Sequence, residues 1–350
     1  TFVAQMSSTP SPSSATRRAR AGGHSLASTP RIVSRSSRCS SVNWPALALP
    51  ESVGGLGYGW VELGILLEEM GEVAAPGPLL ATTTQFAPAV LRCGTPDQAD
   101  RFLRPVAAGE ATGALAVDEG DGASSLTDVE ARGTVADGKV TLTGRKRLVQ
   151  DGADADEVAV AVRIDDELRV VVVPGSEVEA RRLEPVDPTI GHAELDLDGA
   201  TVDADRVLGA GDATSGLVRA LEERSVGLSL TTLGACTRIF EMTLAYAKER
   251  EQFDVPIGSF QAVKHKLADM YADREKAAAL CHFAALCLAE DDDRRTLAAR
   301  LARTSVRACR RRMVKEGLQL HGGIGYTWEH DLQLHLRRAQ ATGLSGAWLA

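Results

Sequence analysis

The chain has 350 residues, 44% hydrophobic and 25% charged, with aromatics at only 4% and a net charge of −8. That length suits two or three domains with a large core. The acidic balance argues against a general binder of nucleic acid or of anionic membrane, though not against a local basic pocket for a phosphorylated ligand. No apolar run reaches the length of a membrane span. The six cysteines, Cys39, Cys93, Cys236, Cys281, Cys287 and Cys309, show no CxxC pair and no metal-ligand rhythm. They read as reduced thiols of a cytoplasmic protein.

Residues 1–43 differ from everything after them. They carry six arginines, abundant serine, no acid and no hydrophobic period, so the remainder carries −14 once the leader's +6 is set against −8. This stretch is expected to be disordered, either a transit-type leader or a segment foreign to the fold. Patterned sequence begins at Trp44. Leu49-Pro50-Glu51 leads into the Gly54-Gly55-Leu56-Gly57 turn, and Val61, Leu63, Leu66, Leu67 and Met70 mark an amphipathic helix. Pro76-Gly77-Pro78 ends it, Leu79–Val90 forms another, and Thr95-Pro96 starts a third over Asp97–Pro105. Residues 44–111 therefore read as a helical domain.

From Thr112 the pattern is short and β-branched: Ala114–Val117, Val129–Val135, Lys139–Thr143, Glu157–Val162, Leu168–Val173 and Ala193–Leu197. Asp137-Gly138 is a strong two-residue hairpin signal and Asp165-Asp166 a weaker one. Residues 112–208 read as an antiparallel β domain. Residues 209–350 return to long helices at 215–250, about 259–289 and about 293–321, the last stopped by Gly322-Gly323. Helices, then a β domain, then a helical bundle is an α+β layout.

The first of these long helices organises the rest. Val226, Leu230, Leu233, Thr237, Phe240, Leu244 and Ala247 step by four and three along one face. Glu222-Glu223-Arg224 stands near its start and Arg250-Glu251-Gln252-Phe253 at its finish. At the helical rise, Glu223 and Arg250 lie roughly 40 Å apart. If both serve small-molecule sites, a neighbouring subunit must complete each.

Four motifs, in this order and spacing, carry a resemblance to a known family: Pro50-Glu51 with Gly54-Gly55-Leu56-Gly57; Arg250-Glu251-Gln252-Phe253; Phe260-Gln261; and Gln319-Leu320-His321-Gly322-Gly323-Ile324-Gly325-Tyr326. Over about residues 44–350 the chain resembles the acyl-CoA dehydrogenases. The run Tyr326-Thr327-Trp328-Glu329-His330-Asp331 is similar to actinobacterial members acting on bulky sterol-type or cyclic CoA thioesters.

The resemblance implies FAD lying between the β domain and a four-helix C-terminal bundle, with an acyl-CoA substrate. A base takes the α-proton and the β-hydride passes to the flavin. It further implies that Arg250 reaches the FAD pyrophosphate of a neighbouring subunit, for which a guanidinium fork is suited. Gln252, Phe253, Gln261, Gln319, Gly322 and Gly323 are implied as further FAD contacts. An electron-transfer flavoprotein or similar acceptor, and a homo- or hetero-oligomer, follow from the same likeness.

Three features depart from the family's pattern. The usual late Glu falls on Gly346, which cannot accept a proton; Glu223, directly before Arg224, matches the minority position for the base, with Glu222 beside it as a fallback. The Thr-Glu-Pro-Gly-Ala-Gly-Ser loop reads Asp118-Glu119-Gly120-Asp121-Gly122-Ala123-Ser124, leaving Ser124 as a substrate-side hydroxyl and placing Asp118 where a neutral residue is usual. The flavin-flanking Trp-Ile-Thr reads Leu148-Val149-Gln150. Arg224 and Ser124 are the substrate-side candidates; Asp118, Leu148 and Gln150 are the cofactor-side ones. Three readings stay open: a catalytic acyl-CoA dehydrogenase, a catalytically impaired partner subunit of a heteromeric one, and a flavin-dependent oxygenase on the same fold. No histidine spacing points to a metal. Arg310-Arg311-Arg312 reads as a solvated helix face, with a CoA-phosphate contact as the alternative.

Overall fold

The computed structural model describes residues 43–120 and 125–344. The 1–42 leader, Ser124 and Gly346 lie outside the described residues.

The N-terminal helical region holds α1 (Trp60–Glu72), α2 (Leu79–Ala81), α3 (Ala87–Cys93) and α4 (Pro96–Ala107), with a π turn over Thr82–Phe86 joining α2 to α3. The start of α4 is set locally. Thr95 Oγ1 accepts from the Gln98 backbone N–H at 3.3 Å, Gln98 Oε1 accepts from the Thr95 N–H at 3.0 Å, and Pro96 occupies the first turn.

The β domain contains β1 (Gly113–Ala116), β2 (Arg132–Ala136), β3 (Lys139–Thr143), β4 (Arg145–Gln150), β5 (Glu157–Ile164), β6 (Glu167–Pro174), β7 (Glu179–Arg182), β8 (His192–Asp196) and β9 (Thr201–Asp203). One sheet runs β1-β5-β2-β3-β9 with β6 also on β5; the other runs β4-β8-β7. Most pairings are antiparallel, while β1 and β2 lie parallel to β5. Both hairpin signals hold: Asp137 and Gly138, and likewise Asp165 and Asp166, take positive φ between β2 and β3 and between β5 and β6. β5 is buried on both faces. Val158, Val160 and Val162 face a core shared with Val149, Ala193 and Leu195 of the second sheet, whereas Ala159 and Ala161 pack with Phe102, Leu103 and Leu217.

The C-terminal bundle consists of α5 (Thr214–Glu249), α6 (Gln261–Ala289), α7 (Arg295–His321) and α8 (Leu332–Leu344), with a two-stranded turn, β10 (Glu251–Gln252) and β11 (Val255–Pro256), after α5. The spacing on α5 predicts one apolar face; the structure buries every residue from Ala220 to Thr237. The rod is central, wrapped by α1, α3 and the other bundle helices, so polar residues along it are interior residues. α1 crosses it closely because both helices lack a side chain at the contact. A Cβ on Gly71 would stand 2.1 Å from the Thr231 carbonyl oxygen, and one on Gly234 would stand 1.9 Å from that of Glu68.

One buried ion pair ties the three regions together. Arg338 of α8, 1% exposed, places Nε 2.6 Å from Asp187 Oδ2, and Asp187 is 2% exposed on the connection between β7 and β8. The same guanidinium donates to Thr189 Oγ1 and, at 2.9 Å, to the carbonyl of Ala75 beyond α1.

Candidate functional site

Glu222, Glu223 and Arg224 stand on consecutive positions of α5, each turned about 100° from the last, and all are buried. They fan out to three different neighbours. Glu222 faces α7, where Thr296 donates to its Oε1 at 2.5 Å and Arg295 Nε lies 3.5 Å from Oε2. Glu223 faces the N-terminal helices: Arg92 Nε of α3 donates to its Oε1 at 2.7 Å, and Trp60 of α1 also hydrogen-bonds to it. Arg224 faces the β domain, with Nη1 3.5 Å from Asp118 Oδ2 just past β1.

Burial pushes the Glu223 carboxyl above the usual carboxylate range, and the cationic Arg92 opposes that shift only in part. Such a group is a stronger base than a solvated glutamate. Arg224 is 4% exposed, yet its Nε and Nη1 have no hydrogen-bond partner. The nearby Arg224 charge, after burial itself, holds His192 of β8 below its ordinary value.

Asp118 is therefore not a stray charge, since Arg224 offsets it. The adjoining Glu119 is likewise matched by Lys146, fully buried on β4, whose Nζ lies 2.5 Å from Glu119 Oε1. Leu148 takes a positive φ of 54° where β4 bulges against β8, and is 44% exposed, an apolar side chain held out from the sheet. Gln150 turns inward. Its Oε1 accepts from Gln85 Nε2 at 2.8 Å, and it hydrogen-bonds Asp151, so its amide is engaged within the protein.

The other end of α5 is built from exposed residues. Arg250, Gln252 and Phe253 follow the helix, with Phe253 at 87% exposure and edge-on to Phe260, directly before Gln261. Tyr246, one turn earlier, stacks on His321 at 4.7 Å, which brings Gln319, Gly322 and Gly323 to the same end. Gly322 has a φ of 63°, and a Cβ on either glycine would meet nothing within 4 Å, leaving bare backbone open to a ligand. An arginine fork, three side-chain amides, an exposed aromatic and bare backbone fit the phosphate and adenine side of a dinucleotide. The apolar side chain at Leu148, with Asp118, fits its ring side, and Arg224 stands beside Asp118 as the substrate-side candidate. These two groups of residues stand at opposite ends of a 36-residue helix, farther apart than one dinucleotide spans.

Sequence reasoning missed Arg92, Asp151, His192 and Arg303. Arg92 sits in a helix without motif or spacing, and no signal in the chain marks it; Arg303 shares a helix face with Arg307 and Arg310 at four- and three-residue spacing. Asp151 directly follows Gln150, and its Oδ2 is buried without a partner. The Arg310-Arg311-Arg312 run is a solvated face only in part: Arg310 is 7% exposed and turned inward, while Arg312 pairs with Asp273 at 2.5 Å. Among the described residues no group of His, Cys, Asp or Glu is placed to hold a metal ion. No described helix is long and apolar enough to cross a membrane.

Known proteins match this arrangement. The family profile "Acyl-CoA dehydrogenase, C-terminal domain" matches residues 217–346, and "Acyl-CoA dehydrogenase, N-terminal domain" matches residues 28–110, reaching into the arginine-rich leader. Acyl-CoA dehydrogenase IpdE2 of Mycobacterium tuberculosis is 32% identical over 308 residues, covering 87% of this chain and 79% of the relative. Among solved structures, the ChsE4-ChsE5 complex from Mycobacterium tuberculosis matches with a TM-score of 0.80 and 29% identity, over 89% of this chain and 83% of that one. Glutaryl-CoA dehydrogenase from Mycobacterium smegmatis in complex with FADH2 shares the fold at a TM-score of 0.79 and 23% identity, over 89% and 81%. From the glycine-bordered outer tip to the charged inner start of α5, this chain belongs to the acyl-CoA dehydrogenase family.

Proposed function

We propose that this chain desaturates an acyl-CoA thioester between its α and β carbons, with Glu223 as the base. FAD is the cofactor of the family, and when bound it supplies the acceptor for the hydride leaving the β-carbon. The observation that carries the reading is the fan on α5. A buried carboxylate with raised basicity stands one residue from a buried guanidinium whose Nε and Nη1 lack a hydrogen-bond partner, Nη1 lying 3.5 Å from Asp118 in an ion pair. Taking a proton from a carbon beside a thioester calls for a carboxylate whose affinity for that proton has been increased, and desolvation does this for Glu223. Arg92 orients the carboxylate and opposes part of the effect of burial. Arg224 and Ser124 serve the substrate side, and Leu148 forms the apolar wall of the ring site.

Arg250, Gln252, Phe253, Gln261, Gln319, Gly322 and Gly323 serve the phosphate and adenine side of a neighbouring chain's FAD, because roughly 40 Å of helix separates them from Glu223. Electrons leave to an electron-transfer flavoprotein or a similar acceptor. The substrate is of the bulky, sterol-type or cyclic class.

A second reading makes the chain the impaired partner of a heteromeric dehydrogenase. Gln150, already bonded to Gln85 and Asp151, favours it, and so does the relative solved as a ChsE4-ChsE5 complex. An absorbance spectrum of the chain purified alone, giving FAD per chain, separates the two. A colourless preparation that gains flavin only with a co-expressed homologue supports the partner role. In flavin-loaded protein, Glu223→Gln is expected to keep FAD and lose turnover by about 10²–10⁴-fold. Retained turnover removes Glu223 from the base role.

A further inference from the structure

The outer tip of α5 carries a second concave surface, on the side away from the dinucleotide residues. Leu244 and Lys248 stand one turn apart on the same face of α5, with Ala247 beside them. Tyr246, which stacks on His321, is turned roughly 160° from Leu244 and points to the other side of the helix. The turn after β11 forms one wall and the start of α6 another. Leu244, Ala247, Lys248, Pro256, Lys264 and Leu267 thus line a cavity of about 470 Å³. Gly258 seats that turn directly on the helix, since a Cβ there would stand 2.8 Å from the Ala247 carbonyl oxygen.

The volume falls within the range of small-molecule sites, roughly 300–1,000 Å³, and so does the make-up, an apolar lining with a few placed polar groups. Ala247 and Leu267 are buried beneath it, while Lys248 and Lys264 reach it from α5 and α6 with exposed side chains. Among the described residues no carboxylate forms an ion pair with either lysine, whereas Lys266, two positions on, is paired with Glu316. Two ammonium groups alone would attract any anion. A small inorganic ion, however, gains nothing from Leu244, Ala247 and Leu267, and only a ligand with a hydrocarbon body removes that surface from water. The aliphatic stems of the lysines extend the same apolar wall. We propose that this groove binds a carboxylate-headed amphiphile, a free fatty acid, with its head between Lys248 and Lys264 and its chain along Leu244, Ala247 and Leu267. The site needs neither flavin nor turnover, so it stands apart from the dehydrogenase reading.

Calorimetric titration of the full chain, as purified, with octanoate, decanoate and dodecanoate below their micelle concentrations tests this. The alcohols of matched length and inorganic phosphate serve as controls. At one chain length the carboxylate is expected to bind about tenfold or more tighter than its alcohol and than phosphate. Lys248→Gln combined with Lys264→Gln should weaken that binding by about tenfold or more and leave flavin content unchanged. Both lysines are exposed, so the exchange leaves the fold in place. A fatty acid lodged in the acyl-CoA site instead would keep its Kd in the double variant. That result overturns the proposal, as do an alcohol or phosphate that binds as tightly as the carboxylate and an absence of carboxylate binding. A double variant that keeps its fatty-acid affinity but changes mass in sedimentation equilibrium makes the groove a subunit interface, and equally overturns it.

Discussion

The two ends of α5 are opposites in how they treat charge. At the inner end Glu222, Glu223 and Arg224 are all below 5% exposure, and each is answered by a residue of a different region of the same chain. At the outer end Arg250 and Phe253 stand in the open, with Tyr326 at 73% and Trp328 at 70% exposure nearby in the closing motif. A buried charge is retained only where its partners are fixed in advance, so the inner end behaves as part of the core. The outer end costs the fold nothing and is free to be completed by something else. The difference teaches that the charges that hold the fold together and those left open to a ligand are separable along one helix.

That separation can be broken in a graded series. The largest expected effect is on the inner side, at the pair that closes the three regions. Arg338→Met strands a buried Asp187 and should cost about 3–5 kcal/mol in urea unfolding of flavin-free protein. Adding Asp187→Leu should recover much of that, and a cost under about 1 kcal/mol for Arg338→Met would show the inner side to be less fixed than described.

Next comes Asp151, whose carboxyl burial pushes up to about 7. A carboxyl raised above its unfolded value stabilises the fold fully at low pH and loses that contribution as pH rises through about 7. Asp151→Asn keeps an acceptor for the Gly191 N–H, supplies a donor at the unpartnered oxygen and tolerates the positive φ of 54°. It should be near neutral at pH 4 and stabilising by about 4 kcal/mol at pH 8. A gain of the same size at both pH values would rule out ionisation as the cause. The smallest effect on stability belongs to the outer end. Arg250→Met should move flavin-free unfolding by less than about 0.5 kcal/mol while weakening FAD binding about 10–100-fold. A loss of stability larger than the loss of flavin would erase the contrast.

Much of this was legible because periodicity survives wherever one pattern dominates. The three long helices begin and end within two residues of their sequence limits, since Pro256–Gly258 and Gly322-Gly323 punctuate them. β4 was not legible: Arg145-Lys146-Arg147 breaks the apolar alternation that marked the other strands, and only the fold shows Lys146 fully buried against Glu119. β7 failed for the opposite reason, as all four of its residues are exposed and leave no alternation to detect. The residues that the motifs named at the outer end do come together after α5, because bare glycine backbone and an arginine at a helix end are local features. The partner of Glu223 lies 131 residues away on α3, a distance that no local pattern encodes. The one-sided reading of α5 underestimated a helix that is buried all round from Ala220 to Thr237, where a hydroxyl is as interior as a leucine.

The fan of Glu222, Glu223 and Arg224 has a consequence for how this protein can change over time. Because each step along α5 turns by about 100°, inserting or deleting a single residue ahead of Glu222 would hand every one of the three side chains to the wrong neighbour at once. The α7 contact, the Arg92 pair and the Asp118 pair would all be lost together. New specificities at this end must therefore arise by exchanging side chains in place, whereas the exposed turn after Glu249 can grow or shrink without disturbing the interior.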